Sequence, residues 1–359
     1  MKILILNWRD IRSPRAGGAE VLTHEIAKRL VERGDEVTWF TSRPPGAKAD
    51  EDVDGVRLVR RGSELTTRLF APRFALRSSW DVIVEEINTL PYLSPLWSRS
   101  RTLLFIPQLA REVWWHEAPL PLAAVGYVSE PLYLALYRRT ECVTISDSSV
   151  ADLRRVGVRA PIHVIPMASS VPALDALPTK EPVGRLIIVG RLVPSKRVDH
   201  VIRALAELRR TVPVATLTVV GEGPERGRLA ALAHELAVED AVDFVGRVEE
   251  AEKARLLRDA DVLVACAVRE GWGLTVTEAA RVGTPSVCYR IPGLRDAVVD
   301  GRTGLLTSES PMALAGGIQQ LLRSAPDYEQ TRLRAWRHSS ELSWARTADA
   351  FAHVLASLE

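Results

Sequence analysis

Two glutamates separated by seven residues form the first candidate site, in the run Glu270-Gly-Trp-Gly-Leu-Thr-Val-Thr-Glu278. An apolar run precedes them and a helical pattern follows, so the segment predicts a strand, a glycine turn and a helix. The backbone amides of Gly273, Leu274 and Thr275 would then be unpaired donors of the first helical turn, which suits a phosphate. Glu270 could meet a sugar and Glu278 a ribose. A simple strand-to-helix corner, with Glu270 as a cap and Glu278 solvated, is the alternative.

Two cations follow a second buried strand, predicted at residues 185–189. The loop after it reads Gly190-Arg191-Leu192-Val193-Pro194-Ser195-Lys196 and leads into a helix predicted at residues 198–210. Arg191 and Lys196 are the two cations of this loop. Surface charges on an ordinary loop are the alternative.

These two stretches resemble signatures of the family 4 retaining glycosyltransferases. The resemblance covers the Glu-(seven residues)-Glu motif and the Gly-Arg-Leu-(three residues)-Lys motif. It implies the GT-B fold, a UDP- or GDP-sugar donor as substrate, and no cofactor or metal. It implies that Glu270 holds the donor sugar, that Glu278 holds the ribose hydroxyls, and that Arg191 and Lys196 bind the diphosphate. The same turn would supply the donor-binding residues Gly271, Trp272, Gly273, Leu274 and Thr275.

Other glycine turns are also predicted to bind the donor. Gly17 and Gly18 precede a helix predicted at residues 19–33, and backbone amides there could approach an anion without a Cβ in the way. The resemblance places Gly17 and Gly18 across the cleft from the donor diphosphate. It also makes Gly221, Gly223, Arg247 and Val248 donor-binding candidates. The run Gly221 to Gly227 lacks the third glycine of a dinucleotide-binding fingerprint, because arginine stands at 226, which disfavours a dehydrogenase.

Acceptor binding is expected in the N-terminal half. The resemblance assigns the acceptor to that domain, and polar and aromatic residues follow the strand predicted at residues 103–106. Many family members have a histidine just after this strand, whereas this chain has Pro107. The acceptor-binding candidates are Gln108, Arg111, Trp114, Trp115 and His116. Trp faces commonly pack on sugars or lipids, but ordinary core packing is the alternative for this segment.

A basic segment runs from Arg57 to Arg77. It contains six arginines and one acid, Glu64, interleaved with apolar residues. Such a segment could contact a membrane surface or an anionic acceptor. The alternative is a solvated face whose arginine stems cover the core.

The elements that must position these residues alternate between strands and helices. This alternation predicts an α/β protein with doubly wound parallel sheets. The length of 359 residues suits two domains. We expect two Rossmann-like domains facing across a cleft: an acceptor domain at 1–176, a donor domain at 177–340, and a segment at 341–359 crossing back to the first domain.

Composition limits the class of protein. The net charge of +2 gives no case for nucleic-acid binding. The three cysteines lie in or beside apolar runs without metal-ligand spacing, which favours reduced thiols and the cytoplasm. The N-terminus predicts a first strand instead of a signal peptide, and no run is apolar enough for a membrane span.

The resulting expectation is a metal-independent retaining hexosyltransferase. Its acceptor would be a lipid-linked saccharide, a glycan or a natural product, with a role in cell-envelope or polysaccharide synthesis. We expect it in the cytoplasm, with a peripheral contact at the inner face of the membrane through Arg57 to Arg77 as the further option. Two alternatives stay open: a nucleotide-sugar 2-epimerase of the same fold, and a non-catalytic sugar-nucleotide-binding protein.

Overall fold

The chain divides into two compact units. The computed structural model describes residues 1–358, so Glu359, the end of the predicted segment 341–359, lies outside the described residues. Unit 1 comprises residues 1–111, 124–167 and the chain from Ser343 onward. Unit 2 comprises residues 112–123 and 168–342. The domain boundaries at residues 176 and 340 stay predictions of the sequence.

Strands and helices alternate along the first half of the chain. The strands are β1 (Lys2–Leu6), β2 (Glu36–Thr41), β3 (Asp50–Val53), β4 (Val56–Arg60), β5 (Val82–Glu86), β6 (Arg101–Phe105), β7 (Cys142–Thr144) and β8 (Ile162–Val164). The helices are α1 (Gly18–Glu32), α2 (Thr67–Ala75), α3 (Ser94–Trp97), α4 (Val113–Glu117), α5 (Leu120–Leu134) and α6 (Asp147–Arg155).

The second half repeats this alternation and ends in helices. The strands are β9 (Arg185–Val189), β10 (Thr216–Val220), β11 (Val242–Gly246), β12 (Val262–Ala265), β13 (Ser286–Tyr289) and β14 (Gly304–Thr307). The helices are α7 (Val198–Leu208), α8 (Arg226–Glu235), α9 (Glu250–Asp259), α10 (Leu274–Arg281), α11 (Leu294–Ala297), α12 (Pro311–Leu322), α13 (Ala325–Ser340) and α14 (Trp344–Ser357). No helix in the described part of the chain is long and apolar enough to cross a membrane.

Unit 1 is built on a sheet of eight strands in the order β3-β4-β2-β1-β5-β6-β7-β8. All neighbouring strands are parallel except β3 and β4. Apolar runs such as Ile3 to Leu6 are buried because helices cover both faces of the sheet. The terminal helix α14 belongs to this unit: it packs on α1, and Phe351 lies 5.7 Å from Phe105 between ring centroids.

Unit 2 is built on a parallel sheet of six strands in the order β11-β10-β9-β12-β13-β14. From β9 the chain continues through β10 to β11 at one edge of the sheet. It then returns to form β12 on the other side of β9. The carboxyl ends of β9 and β12 therefore lie side by side where the winding direction reverses, which is the usual ligand position in such sheets. Both predicted charged motifs follow these two strands.

The basic segment from Arg57 to Arg77 is not one amphipathic element. Its first part is β4, and Arg60 is buried there, with Nε 2.6 Å from Asp10 Oδ2 and Nη1 2.7 Å from Glu51 Oε2. Arg61 pairs with Asp50, and Arg68 donates to the carbonyl oxygen of Leu90. The second part, α2, is a surface helix. Half of the six arginines are therefore engaged within the fold, and the other three are exposed.

Candidate active site

A depression opens where β9 and β12 end in unit 2. Its lining brings together four residues predicted from the sequence, namely Arg191, Lys196, Glu270 and Thr275. Arg191 and Lys196 follow β9, whereas Glu270 and Thr275 follow β12. The parallel sheet thus joins two motifs that lie about 80 residues apart in sequence.

Lys196 and Glu270 form an ion pair across this depression. Lys196 Nζ donates to Glu270 Oε1, and each side chain is roughly three-quarters buried. The loop that carries Lys196 is also bonded to the segment between β12 and Glu270, because the amide of Val268 donates to the carbonyl of Ser195 over 2.8 Å. The cation and the carboxylate are therefore held next to each other before any ligand arrives.

The start of α10 provides amide donors beside this pair. Gly273 precedes the helix with φ +100°, in the left-handed region that favours glycine, and a Cβ there would lie 2.8 Å from Leu294 Cδ2. Within residues 1–358 the amides of Gly273, Leu274 and Thr275 have no hydrogen-bond acceptor. The indole of Trp272 is hydrogen-bonded within the same segment, since its Nε1 donates to Thr277 Oγ1 over 2.9 Å. Free amides at a helix start form a seat for an anion.

Glu278 lies on the inner side of α10 and is almost fully buried. Its Oε1 accepts a charge-assisted hydrogen bond from Lys253 Nζ of α9 over 2.9 Å. Burial raises the pKa of Glu278, and the Lys253 cation partly opposes that rise. Sequence reasoning missed Lys253, because a lysine in a charged surface helix carries no signal that it turns toward a buried acid.

Arg191 has an acidic neighbour that the sequence did not predict. Its side chain is 63% exposed, and Nη2 lies 3.7 Å from Glu117 Oε1. The same carboxylate oxygen accepts a hydrogen bond from Ser195 Oγ. Glu117 ends α4, a short helix that packs on the turn at residues 194–196 within unit 2. The Glu117 carboxylate thus lies beside Arg191, in the loop that is predicted to bind the diphosphate. An anionic ligand of this loop would lie at the same position.

Gly221 and Gly223 make close contacts with the loop that carries Arg191. A Cβ on Gly221 would lie 1.9 Å from the carbonyl oxygen of Gly190, and one on Gly223 would lie 2.2 Å from that of Leu192. The amide of Leu192 also donates to the carbonyl of Glu222 over 2.9 Å. These glycines permit two loops to pack backbone to backbone, and their contact with a donor stays a prediction.

Gly293 has a similar role that the sequence did not indicate. With φ +84°, it would place a Cβ 2.1 Å from the carbonyl oxygen of Glu270. The amide of Glu270 in turn donates to the carbonyl of Pro292 over 3.3 Å. The turn after β13 therefore fixes the backbone position of Glu270. The other two candidates, Arg247 and Val248, follow β11 and do not line the depression.

Gly17 and Gly18 lie at the start of α1 in unit 1. Gly17 has an extended backbone, and its amide donates to Glu20 Oε2 over 2.8 Å. Behind this turn, at the end of β5, Glu86 is fully buried among Asn7, Thr23 and Asn88, which donate to its carboxylate over 2.5 to 3.1 Å. Burial raises the pKa of Glu86 to about 8. Glu86 was not among the site residues predicted from the sequence.

The acceptor-binding candidates do not all belong to one unit. Gln108 and Arg111 belong to unit 1, where Arg111 lies 4.1 Å above the ring of Tyr127. Trp114, Trp115 and His116 belong to unit 2, on α4. Gln108 Oε1 and Trp114 Nε1 are buried without a hydrogen-bond partner among the described residues, so both retain unused polar atoms.

Known protein families match both halves of the chain. Residues 175–337 match the family described as Glycosyl transferases group 1, and residues 16–168 match Glycosyltransferase Family 4. The chain is 35% identical over 380 residues to the D-inositol 3-phosphate glycosyltransferase of Stackebrandtia nassauensis, covering 93% of this chain and 85% of that protein. It is 40% identical over 172 residues to the glycogen synthase of Mycobacterium tuberculosis, covering 47% of this chain and only 41% of that protein.

Solved structures show the same architecture. The sucrose-phosphate synthase of Thermosynechococcus elongatus superimposes with a TM-score of 0.83 at 22% identity, covering 99% of this chain and 98% of that one. Anabaena HepE in complex with UDP-glucose gives a TM-score of 0.78 at 20% identity, covering 99% and 100%. At these identities the likeness shows the fold alone, and that fold is GT-B, as the sequence predicted. The fold and the paired motifs define a protein of the GT-B glycosyltransferase class.

The two family matches and the S. nassauensis relative narrow this class. Together they span nearly all of the chain. The chain belongs to glycosyltransferase family 4, which confirms the family expected from the Glu270 and Arg191 motifs.

Proposed function

We propose that the protein is a retaining hexosyltransferase that moves a sugar from a UDP- or GDP-sugar to an acceptor hydroxyl. One observation carries the proposal: Arg191, Lys196, Glu270 and free amides of α10 surround a single depression in unit 2. Two cations beside a helix start form a site for a diphosphate. The HepE structure with bound UDP-glucose supports a UDP-sugar as the first donor to test.

The diphosphate would lie between Arg191, Lys196 and the amides of Gly273, Leu274 and Thr275. As the bond between the sugar's anomeric carbon and the phosphate oxygen breaks, negative charge builds up on the diphosphate. Fixed cations and oriented amides stabilise this charge most in the transition state. These protein groups provide the charge stabilisation that a divalent metal provides elsewhere, so we propose that turnover needs no metal.

Glu270 would orient the hydroxyls of the donor sugar. Its present partner is Lys196, so binding of the diphosphate would give Lys196 a second anion to contact. Glu278 would accept hydrogen bonds from the ribose hydroxyls through its carboxyl group, which Lys253 holds in place. In this arrangement the two glutamates bind opposite ends of the donor, with the diphosphate between them.

The proposed reaction retains the anomeric configuration. The acceptor hydroxyl attacks the oxocarbenium-like sugar on the face that the diphosphate leaves. A new bond forms between the anomeric carbon and the acceptor oxygen, and the acceptor proton moves to the departing phosphate oxygen. No protein base is required in this step, which is consistent with Pro107 at the position where many family members have histidine.

The acceptor is proposed to bind through Gln108 and Arg111 of unit 1, and Trp114, Trp115 and His116 of unit 2 stay separate candidates. Unused polar atoms on Gln108 and Trp114 provide hydrogen-bonding capacity, and His116 and Trp115 are exposed. The candidate acceptors are a lipid-linked saccharide, a glycan or a natural product, with use in cell-envelope or polysaccharide synthesis. We propose that the reaction takes place in the cytoplasm, and that α2, the surface helix of the segment from Arg57 to Arg77, lies near the inner face of the membrane.

Turnover with defined substrates tests this function. UDP- and GDP-sugars are first screened by thermal shift, because a ligand at 100 times its dissociation constant adds about 2.7 kcal/mol to stability. The stabilising donor is then incubated with acceptor saccharides, and the product anomer is determined by NMR in buffer with and without EDTA. We expect a product with the donor's anomeric configuration and equal rates in both buffers. An inverted product, or a rate that requires a divalent ion, contradicts the proposed mechanism.

The same assay separates the alternatives. Conversion of the donor to its 2-epimer without an acceptor would identify an epimerase. Donor binding with neither transfer nor hydrolysis, across the acceptors, would identify a binding protein. Either outcome overturns the transferase proposal.

A further inference from the structure

One residue, Arg197, connects the turn that carries Lys196 to helix α7. A turn of 3-10 helix ends at Lys196, and α7 begins at Val198. Arg197 has φ +51° and ψ +40°, in the left-handed region that favours glycine. Its amide donates to the carbonyl of Pro194 over 3.2 Å, and its carbonyl accepts from the amide of His200 over 2.9 Å. The backbone conformation of Arg197 therefore sets the angle between Lys196 and α7.

Residues that follow β12 hold the backbone of this connection. The thiol of the buried Cys266 donates to the carbonyl of Arg197, with 3.1 Å between sulfur and oxygen, and lies 3.5 Å from the carbonyl oxygen of Lys196. The amide of Val268 donates to the carbonyl of Ser195 over 2.8 Å. The turn is thus attached through its carbonyl groups to the segment that leads to Glu270.

The side chain of Arg197 provides a second attachment. Its Nη1 lies 2.5 Å from Glu309 Oε2, and the side chains of Arg197 and Glu309 are 21% and 49% exposed. Glu309 lies two residues before α12, which packs on α7. The ion pair therefore joins the start of α7 to the start of α12.

Stability alone does not account for arginine at this position. A left-handed backbone at a residue other than glycine costs more free energy than a partly exposed ion pair usually contributes. Glycine would adopt the same conformation without strain, but it would also allow the connection to sample others. The Arg197 side chain therefore restricts the connection to one conformation and lowers the stability of the fold. Strain of this kind is typical of preorganised functional sites.

We propose that Arg197 is a positioning residue for the donor diphosphate, because its ion pair with Glu309 holds the turn in the conformation that directs Lys196 into the depression. The proposal rests on the proposed binding of the diphosphate by Lys196. A turn that is already fixed loses less conformational freedom when the donor binds, which raises the affinity. Arg197 is not among the residues that line the depression, so it acts through Lys196.

Two variants separate this role from a structural one. Arg197→Gly removes both the strain and the ion pair. Its melting temperature should equal or exceed that of the unaltered protein, while its affinity for UDP should fall at least about threefold. Glu309→Ala should weaken UDP binding to a similar extent, and the double variant should bind no more weakly than Arg197→Gly. A residue with a purely structural role would lose stability and affinity together.

Matched controls lie elsewhere in unit 2. Ala237 is the other non-glycine residue with positive φ in the described part of this unit, at +52°, so Ala237→Gly relieves similar strain. Asp240 pairs with Arg209, which follows the opposite end of α7, over 3.2 Å. Neither Ala237 nor Asp240 lines the depression. Ala237→Gly and Asp240→Ala should both bind UDP as the unaltered protein does.

Titration calorimetry with UDP, and with GDP if UDP does not bind, measures the affinity of every variant. Unchanged affinity in both Arg197→Gly and Glu309→Ala, or equal losses in the controls, overturns the proposal. Tighter binding by Glu309→Ala also overturns it, because removal of an anion would then help the donor directly.

The variant Lys196→Ala separates this proposal from the proposed donor site. Weaker binding by Lys196→Ala, with unchanged binding by Arg197→Gly and Glu309→Ala, overturns the positioning role alone. Unchanged binding by Lys196→Ala, or no binding of either nucleotide by the unaltered protein, overturns the donor site and the positioning role with it.

Discussion

Lys253 Nζ lies 2.9 Å from Glu278 Oε1, and both side chains are largely buried. The nucleotide-binding glutamate predicted from the sequence is therefore part of a buried ion pair between α9 and α10. Glu250 also contacts Lys253 over 2.8 Å, but its side chain is mostly exposed. The two acids share one lysine and differ in their solvent exposure, which makes them a natural comparison.

Removing the charge of Lys253 should destabilise unit 2. Lys253→Met keeps most of the aliphatic stem but leaves the buried Glu278 carboxylate without its cation, which costs about 3 kcal/mol. Glu250→Ala removes an exposed partner and should change the free energy of unfolding by less than about 1 kcal/mol. Chemical denaturation measures the free energy of unfolding of both variants. Adding Glu278→Gln to Lys253→Met should recover part of the loss, and no recovery would contradict the pairing.

Glu117 should weaken donor binding. Its carboxylate lies beside Arg191 and Ser195, where the diphosphate is proposed to bind, so Glu117→Gln removes a like charge. We expect the affinity for UDP to rise about fivefold, as for two charges about 4 Å apart in water. The control is Glu112→Gln on the preceding turn, because Glu112 pairs with Arg269, which does not line the depression. Titration calorimetry measures the UDP affinity of both variants. Weaker UDP binding by Glu117→Gln would contradict the prediction and would show that this carboxylate promotes donor binding.

Glu86 should make the stability of unit 1 depend on pH. Its pKa is raised from an ordinary 4.5 to about 8 by burial, so between these values the folded state holds a proton that the unfolded state has lost. The free energy of unfolding should therefore fall with rising pH in this window, by up to about 1.4 kcal/mol per pH unit. Glu86→Gln cannot titrate, so its melting temperature should fall less between pH 5 and 8 than that of the unaltered protein. Equal pH dependence in both proteins would contradict this account.

Gly221 should tolerate no side chain. With φ +133° and the carbonyl oxygen of Gly190 only 1.9 Å from a Cβ, Gly221→Ala forces the Arg191 loop to move. We expect a loss of at least about 2 kcal/mol in the free energy of unfolding. Gly227→Ala is the matched control, because a Cβ on this helical residue meets nothing within 4 Å. That variant should be as stable as the parent or more stable by about 0.5 kcal/mol.

Many of the strands and helices could be predicted from the sequence, because their apolar residues recur at the spacing typical of each element. The strand at residues 185–189 was predicted with the bounds that the structure gives. The antiparallel strand β3 was missed, because Asp50-Glu51-Asp52-Val53 has no apolar alternation. Helix α13 was missed because its sequence is largely polar, although Arg332 is buried and donates to the carbonyl of Gly283 over 2.8 Å.

The candidate site was predictable where residues follow strand ends. Arg191, Lys196 and Glu270 lie close together because β9 and β12 are adjacent and parallel. The sequence motifs indicate this pairing only indirectly, since both follow the end of a strand. Glu117 and Lys253 could not be foreseen, because their importance comes from tertiary contacts with residues far away in sequence. The burial of Arg60 was likewise invisible, since an arginine at a strand end is expected at the surface.

The central claim is that the donor diphosphate binds between Arg191, Lys196 and the start of α10. Titration calorimetry of UDP against the unaltered protein, Arg191→Ala, Lys196→Ala and the exposed control Arg302→Ala tests it most directly. We predict that each of the first two variants binds UDP at least about tenfold more weakly, as expected for loss of a charge-assisted hydrogen bond of 1.5 to 3 kcal/mol, while Arg302→Ala binds normally. Unchanged UDP affinity in both Arg191→Ala and Lys196→Ala would contradict the account.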